Sequence, residues 1–312
     1  MGGAGWKEEE KERSAHFYEP PGPGVYPLGG LAIAVLGWPG MPELPEVETI
    51  RRSLLPRLEG RRLVTVATSG VPLRQPIREA AWRDCVGARL EDLTRRGKYL
   101  IGHLGRHAAV FHLGMSGRLL VQPASSPAPA HTHLTLGFSG GRELRLVDPR
   151  RFGVAVVMPA EEVSLYPPLA RLGVDPLDGD VEAALASLAG RRAPIRNALL
   201  DQSVLAGLGN IYANEALARA GIRPTSPAGR LSPARRACLA RAIRDTLADA
   251  LAAGGTTLAD GGFVDANGDG GYFAVALRVY GREGQPCQQC GTPIRRTALG
   301  GRSAFFCQRC QR

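Results

Sequence analysis

Lysine is almost missing from this sequence. From Met41 to the C-terminus, Lys98 stands alone beside 35 arginines. A chain this biased keeps arginine wherever charge alone is needed. Arginine stays protonated and is a poor nucleophile, whereas a desolvated lysine can lose its proton and attack carbon. Lys98 is therefore a candidate for chemistry, against the plain alternative of a chance survivor on a solvated face. Long apolar runs are also missing. The stretch Leu28 to Trp38 is too short to cross a bilayer. The acidic Glu8-Glu9-Glu10-Lys11-Glu12 before it is the wrong flank for a secretion signal, and Trp6 stands where myristoylation needs Ser or Thr. The expectation is a cytoplasmic protein with no membrane partner. Internal repeats are absent. Cysteine is scarce, at six residues. Of these, Cys85 and Cys238 are isolated, and both are expected to be reduced core thiols, Cys238 within a helix.

Positive charge is plentiful and uneven. The net charge is +10. Residues 1–40 hold three Lys/Arg and five Asp/Glu, a balance of −2, so residues 41–312 carry +12. Arginine in this excess on a body long enough for two domains, or a domain plus a module, suits a polyanion, most simply nucleic acid. Residues 1–40 are Gly/Pro-rich without a sustained period and read as a disordered extension foreign to the fold.

From Pro45 a helix is predicted, with Val47, Ile50, Leu54 and Leu58 on one stripe and Gly60 as its stop. Leu63 to Met158 reads as strands, among them Val110 to Leu113, Leu119 to Val121, His133 to Leu136 and Leu144 to Val147. Ser139-Gly140-Gly141 is a hairpin turn signal, and Gln122 to His131 is a surface excursion. Short strands with regular turns predict a two-sheet β-sandwich. After Tyr166-Pro167-Pro168 the pattern turns helical. Ser232-Pro233 caps a helix carrying Leu239, Ile243, Leu247 and Leu251, which stops at Gly254-Gly255. A glycine-rich loop, strands and a cysteine module follow.

Cys287-x2-Cys290 and Cys307-x2-Cys310 have the spacing of a four-cysteine zinc site, with no ligand position left open for catalysis. A pair of disulfides is the alternative, disfavoured without a secretion signal. Arg295, Arg296, Arg302 and Arg309 decorate this module as a phosphate-gripping hairpin requires. Gly207-Leu208-Gly209-Asn210 lies just before a helix, where backbone N–H groups can meet an anion and Asn210 can cap or donate; a tight helix–helix turn has the same signature. Met115 and Phe152 sit in two strand-end loops, His112 to Gly117 and Asp148 to Gly153. Alone each reads as core; beside Gly and Arg they also fit apolar wedges for a base stack. Met41-Pro42-Glu43-Leu44-Pro45-Glu46 looks like a translation start inside the chain. A free Pro42 would present a secondary amine, whose attack on a sugar C1′ gives a cationic iminium that acidifies C2′. The alternative is a Pro-initiated helix entry.

In this order, the Met41 start, Arg96-Gly97-Lys98-Tyr99-Leu100, the two strand-end loops, Gly207 to Glu215 and the four cysteines resemble the formamidopyrimidine-DNA glycosylase family across residues 41–312. The resemblance implies an α+β fold, with an N-terminal helix and two-sheet β-sandwich, a helix–two-turn–helix domain and a zinc-finger hairpin. It divides the chain into 41–168, 173–271 and 272–312. It implies a monomeric enzyme of base excision repair, cytoplasmic and nucleoid-associated in a bacterium, with damaged double-stranded DNA as partner and one structural zinc as its cofactor. The implied activity removes 8-oxoguanine and formamidopyrimidines, then nicks the abasic strand on both sides. Pro42 would be the nucleophile, Glu43 its acid/base partner, Glu46 a support, and Lys98 a positioned ammonium near the flipped nucleotide. Met115, Arg150 and Phe152 would fill the gap, with Arg150 on the orphaned cytosine. Asn210, Arg196 and Arg302 would grip phosphates.

Three departures stand out. Arg196 replaces the usual lysine of its segment. The expected lesion-reading loop, Thr256 to Tyr272, is unusually glycine-rich, which makes ordering it costly. Residues 1–40 have no counterpart, and while attached they make the Pro42 nitrogen an amide. Rival readings are an oxidised-pyrimidine enzyme of the endonuclease VIII type, a non-catalytic zinc-containing DNA-binding protein, and a zinc-ribbon RNA-associated protein. The segment Leu44-Pro45-Glu46-Val47 and the Met115 loop favour the purine branch.

Overall fold

A computed structural model describes residues 41–257, 265–266, 270–271 and 273–312. The reading of 1–40 as disordered, and most of the glycine-rich loop, lie outside the described residues.

Helix α1, Leu44–Leu58, opens with Pro45 in its first turn, where a missing N–H costs nothing. The Glu43 N–H is answered by the Glu46 carboxylate at 2.8 Å, one half of a capping box. Val47, Ile50, Leu54 and Leu58 are all buried, as their spacing predicts, and Gly60 leaves the helix at φ +72°. The chain then runs through β1 (Leu63–Thr68), the short α2 (Glu79–Arg83), β2 (Leu90–Arg96), β3 (Tyr99–Leu104), β4 (His107–His112), β5 (Arg118–Pro123), β6 (Thr132–Phe138), β7 (Arg142–Val147) and β8 (Val154–Pro159). Two antiparallel four-stranded sheets result, ordered β1-β6-β7-β5 and β2-β3-β4-β8. Their inner faces and the α1 stripe share one core that includes Leu63, Trp82, Leu93, Leu100, Phe111, Leu119, Leu134 and Leu146. Each large side chain buried there contributes about 1.5–3 kcal/mol. Only α2 interrupts the expected run of strands.

Strand register decides where the loops meet. Tyr99 pairs with His112 and His112 with Val154 in one sheet, while Arg118 and Thr132 both pair with Val147 in the other. The β4–β5 and β7–β8 connections each cross from one sheet to the other at that end. The Gly97-Lys98 turn between β2 and β3 lies there too.

Helices α3 (Pro167–Ala170), α4 (Val181–Ala186), α5 (Ile195–Leu199), α6 (Asn210–Arg219) and α7 (Pro233–Ala252) follow. Ser232 caps α7 by accepting the Arg235 N–H at 3.3 Å. Leu239, Ile243 and Leu247 pack on Tyr212, Ala216 and Leu217 of α6 in a second core. Cys238 corrects one expectation. It is exposed, because it lies one residue, or about 100°, off the Leu239–Ile243–Leu247 stripe. Cys85 is buried as expected. The C-terminal hairpin pairs β9 (Arg295–Leu299) with β10 (Arg302–Phe306) around Val279, Ile294, Phe305 and Cys307. Among the described residues no helix is long and apolar enough to cross a membrane.

Buried ion pairs join the sandwich to the helical part. Arg95 of β2 meets Asp175 through both terminal nitrogens, at 2.7 and 3.1 Å, and reaches Glu48 of α1 at 3.2 Å. Asp175 also accepts the Gly97 N–H at 3.1 Å, so the same carboxylate fixes the turn that carries Lys98.

Candidate active site

The site forms where the start of α1 meets the start of α6. Gly207, at φ +91°, lets the turn before α6 fold against Leu44; a Cβ there would lie 2.8 Å from the Leu44 Cβ. The Leu44 N–H donates to the Gly207 carbonyl at 3.1 Å. At Gly209 a Cβ would lie 2.2 Å from the Glu43 carboxyl carbon, so only glycine admits that side chain. Glu43 thus seats its carboxylate on the α6 N-terminus, accepting from the N–H groups of Ile211 at 2.9 Å and Tyr212 at 3.4 Å. Those donors and the helix dipole favour the anion. Burial outweighs them, and the Glu43 pKa is raised despite the nearby Lys98 charge.

Glu46 lies one turn further on. One of its oxygens holds the Glu43 N–H; the other accepts from the Tyr212 hydroxyl and, at 2.8 Å, from the Thr256 N–H. Burial first, and the Glu43 charge second, push the Glu46 pKa up to about 7. Two buried carboxyl groups so close resist ionising together. Lys98 supplies the opposite charge. Its pKa is lowered, because burial, helped by the Arg302 charge, outweighs the opposing pull of Glu43 and Glu46. Gly97, at φ +57°, packs its turn against Ala206 and Gly207, which brings Lys98 to the α1–α6 junction.

Beside this junction opens a cleft of about 700 Å³ lined by Met41, Arg74, His112, Met115, Arg150 and Phe152, among others. The two loops that carry Met115 and Phe152 interlock there. A Cβ on Gly114 would strike the Phe152 backbone at 2.6 Å. Buried Asp148 ties them: it accepts from the Ser116 hydroxyl and from the Gly153 N–H at 2.7 Å. Phe152 is 43% exposed, with the Arg150 guanidinium 5.0 Å above its ring. His112 packs against Tyr99 with the ring planes tilted by 47° and the centroids 4.7 Å apart. Burial and the charges of Lys98 and Arg74 lower its pKa to about 4, so it is neutral at pH 7.

Asn210 and Arg196 meet at the joint with the finger. Arg196 is 1% exposed. It donates to the Asn210 side chain at 2.6 Å and to the Ser303 and Leu299 carbonyls at 2.9 Å each, while its Nε is buried without a partner. It faces inward, tying the hairpin to α6. Burial and Arg302 lower its pKa to about 10. Arg302, at the start of β10, is exposed. Sequence reasoning missed Tyr212, His112 and Asp148. For Tyr212 the only signal was its place two residues past Asn210.

In the finger, the Sγ atoms of Cys287 and Cys310 are 4.0 Å apart and those of Cys290 and Cys307 3.5 Å, with all four within 4.8 Å of one another. Tetrahedral thiolates at ~2.3 Å from Zn²⁺ lie roughly 3.8 Å apart, so the set fits one structural zinc.

Comparison with known proteins shows the family. Residues 41–155 match the family model described as the formamidopyrimidine-DNA glycosylase N-terminal domain, 172–261 the H2TH domain of the same family, and 284–312 the zinc finger found in FPG and IleRS. A formamidopyrimidine-DNA glycosylase of Rhizorhabdus wittichii is 49% identical over 275 residues, covering 87% of this chain and 100% of its own. The crystal structure of MutM (Fpg) from Thermus thermophilus superposes with a TM-score of 0.78 at 39% identity, covering 86% of this chain and 98% of its own. A Lactococcus lactis Fpg variant in complex with DNA containing Fapy-dG gives 0.79 at 30% identity, covering 87% and 100%. The chain belongs to the formamidopyrimidine-DNA glycosylase family: it is a DNA-repair glycosylase with a C-terminal zinc finger.

Proposed function

We propose that this protein, as a cytoplasmic monomer acting on duplex DNA, excises 8-oxoguanine and formamidopyrimidines and then cleaves the abasic strand by β,δ-elimination. The observation that carries the reading is the Glu43 carboxyl. It is buried on the α6 N-terminus beside Lys98, and Glu43 follows Pro42 directly in the chain. Pro42, as a free secondary amine, attacks C1′ of the flipped nucleotide and the base leaves. Glu43, with its raised pKa, holds a proton for the sugar ring oxygen as the ring opens. The resulting iminium acidifies C2′. Loss of that proton expels the 3′ phosphate, and a second elimination expels the 5′ phosphate. Lys98 steadies the developing negative charge and a neighbouring phosphate.

Met115, Arg150 and Phe152 fill the space the base leaves, with Arg150 toward the opposing cytosine. Asn210 and Arg302 hold phosphates, and Arg196 keeps the finger registered on α6. Zinc, when bound, holds that hairpin in shape. Residues 41–168, 173–271 and 272–312 are the three working parts.

The test uses residues 42–312 on a duplex with 8-oxoguanine opposite cytosine. Base release with a phosphate left on both ends of the gap is expected. Cleavage of thymine glycol alone would move the protein to the oxidised-pyrimidine branch.

A further inference from the structure

One hydroxyl clasps the two loops of the cleft together. Among the described residues two hydrogen bonds join the Met115 loop to the Arg150–Phe152 loop, and both end on Ser116 Oγ. It donates to the Asp148 carboxylate and accepts the Arg150 N–H at 3.2 Å. A hydroxyl has one proton and two lone pairs, so it serves both partners at once. The Asp148 end of this clasp is fixed. Asp148 is fully buried; its other carboxylate oxygen accepts the Gly153 N–H at 2.7 Å, and its own N–H donates to the His131 carbonyl at 3.0 Å. Its carbonyl accepts the Arg151 N–H at 3.2 Å and the His133 Nε2–H at 3.1 Å. With that ring proton on Nε2, His133 Nδ1 accepts from Ser69 Oγ at 3.0 Å, which anchors the ring in turn. Arg151 is left-handed, at φ +58°, a conformation that a residue with a Cβ adopts only against strain. That turn brings Phe152 back under the Arg150 guanidinium.

We propose that Ser116 is a positioning residue for the choice of opposing base: it seats the side chain that fills the gap and the one that meets the opposing base as a single unit. This rests on the reading of Met115 and Phe152 as gap fillers and of Arg150 as the contact to cytosine. Met115 adjoins Ser116 in the chain, and the Ser116 hydroxyl holds the Arg150 amide. A displacement of Met115 therefore reaches the Arg150 backbone through one side chain, while the Asp148 end stays put. Without the hydroxyl, the Arg150 N–H and one Asp148 oxygen lose this partner, and the loops meet through the packing of Gly114 on the Phe152 backbone. Selectivity then suffers more than affinity. A base edge is read by hydrogen bonds of narrow geometry, whereas phosphates are met by charge from many directions.

Binding by the 312-residue protein tests this without any reacting amine. Duplexes carry a stable abasic analogue opposite cytosine or adenine, and the ratio of the two Kd values is the readout. Cytosine is expected to be preferred, and Ser116→Ala to cut that preference about tenfold, the scale of a stripped hydrogen bond. Ser116→Thr keeps the hydroxyl and is expected to restore the preference. Equal weakening on both duplexes, with the ratio kept, would make Ser116 a structural residue alone and overturn the inference. Arg150→Ala checks the reading beneath: a ratio unchanged in that variant, or no cytosine preference in the unaltered protein, removes the Arg150 assignment whatever Ser116 does. Should Ser116→Ala fail to fold, Met115→Ala, Arg150→Ala and the double variant decide. Coupled loops are expected to depart at least about threefold from the product of the single losses, and losses that simply multiply would overturn the inference.

Discussion

Glu46 and Glu48 are two residues apart on α1 and live in opposite electrostatic worlds. Two residues turn the helix by about 200°, so the carboxyl groups face different neighbours. Glu48 is met by Arg51 at 2.9 Å, Arg52 at 2.8 Å and Arg95 at 3.2 Å. Burial raises its pKa, and the arginine hydrogen bonds and charges more than reverse that, leaving it lowered. Glu46 meets no arginine in its described contacts. A hydroxyl, two backbone N–H groups and the Glu43 carboxylate surround it, and its pKa stands near 7. The difference separates structure from chemistry. Where this protein needs a joint it pairs carboxylates with arginine. The carboxyl groups to which we assign the proton transfer it leaves to weak neutral donors and one lysine.

The largest expected effect comes from breaking the chemical side. Glu43→Gln keeps an acceptor for the Ile211 and Tyr212 N–H groups but holds no exchangeable acid proton. Base excision by residues 42–312 should fall about 10²–10⁴-fold, the usual share of a general acid–base. Wild-type rates in that variant would remove Glu43 from the chemistry. On the structural side, Arg95→Met leaves Glu48 and Asp175 short of their buried partner. Denaturant unfolding should show a loss of about 3–5 kcal/mol, because a buried charge stripped of its partner is costly.

Lys98→Arg preserves charge and tests position. A bulkier, planar cation in the tight Gly97-Lys98 turn should cost about 10²-fold in excision, as small misplacements do. Unchanged excision would sink the argument from lysine scarcity. A further effect is in the pH dependence of stability. Between pH 4.5, the ordinary carboxyl value, and 7, the unfolded chain has released the Glu46 proton while the folded chain keeps it. Stability therefore falls by about 3 kcal/mol as pH rises through that window. Glu46→Gln should flatten this slope. The Glu48 contribution has the other sign: present above pH 4.5, it is lost as pH falls through its lowered value. Glu48→Gln should weaken the protein at neutral pH and leave the slope between 4.5 and 7 in place. Melting temperatures of both variants from pH 4 to 8 separate the two.

Local periodicity made much of this fold readable in advance. The α1 stripe, the Ser139-Gly140-Gly141 hairpin and the Ser232 cap each follow from neighbours within a few residues, and the four-cysteine site from two such Cys-x2-Cys pairs. Helix α2, at five residues, is too short to display a period. Cys238 was itself readable: it lies one residue off the Leu239–Ile243–Leu247 stripe, so the same period that buries those three exposes it. Glu43 and Lys98 were readable by type, but their partners were not. The Tyr212 hydroxyl meets Glu46 across 166 positions in the chain. Arg196 shows the limit most plainly. Its position suggested a phosphate contact, while its side chain turns inward to carbonyls more than 100 residues away, at Leu299 and Ser303.

We place the reacting amine at the Pro42 end of α1, with Lys98 only assisting. Borohydride trapping of residues 42–312 on an 8-oxoguanine duplex, followed by protease digestion and mass mapping of the DNA-linked peptide, tests it directly. The DNA is expected on the peptide that begins at Pro42, with the Lys98 peptide unmodified. DNA found on the Lys98 peptide would contradict it.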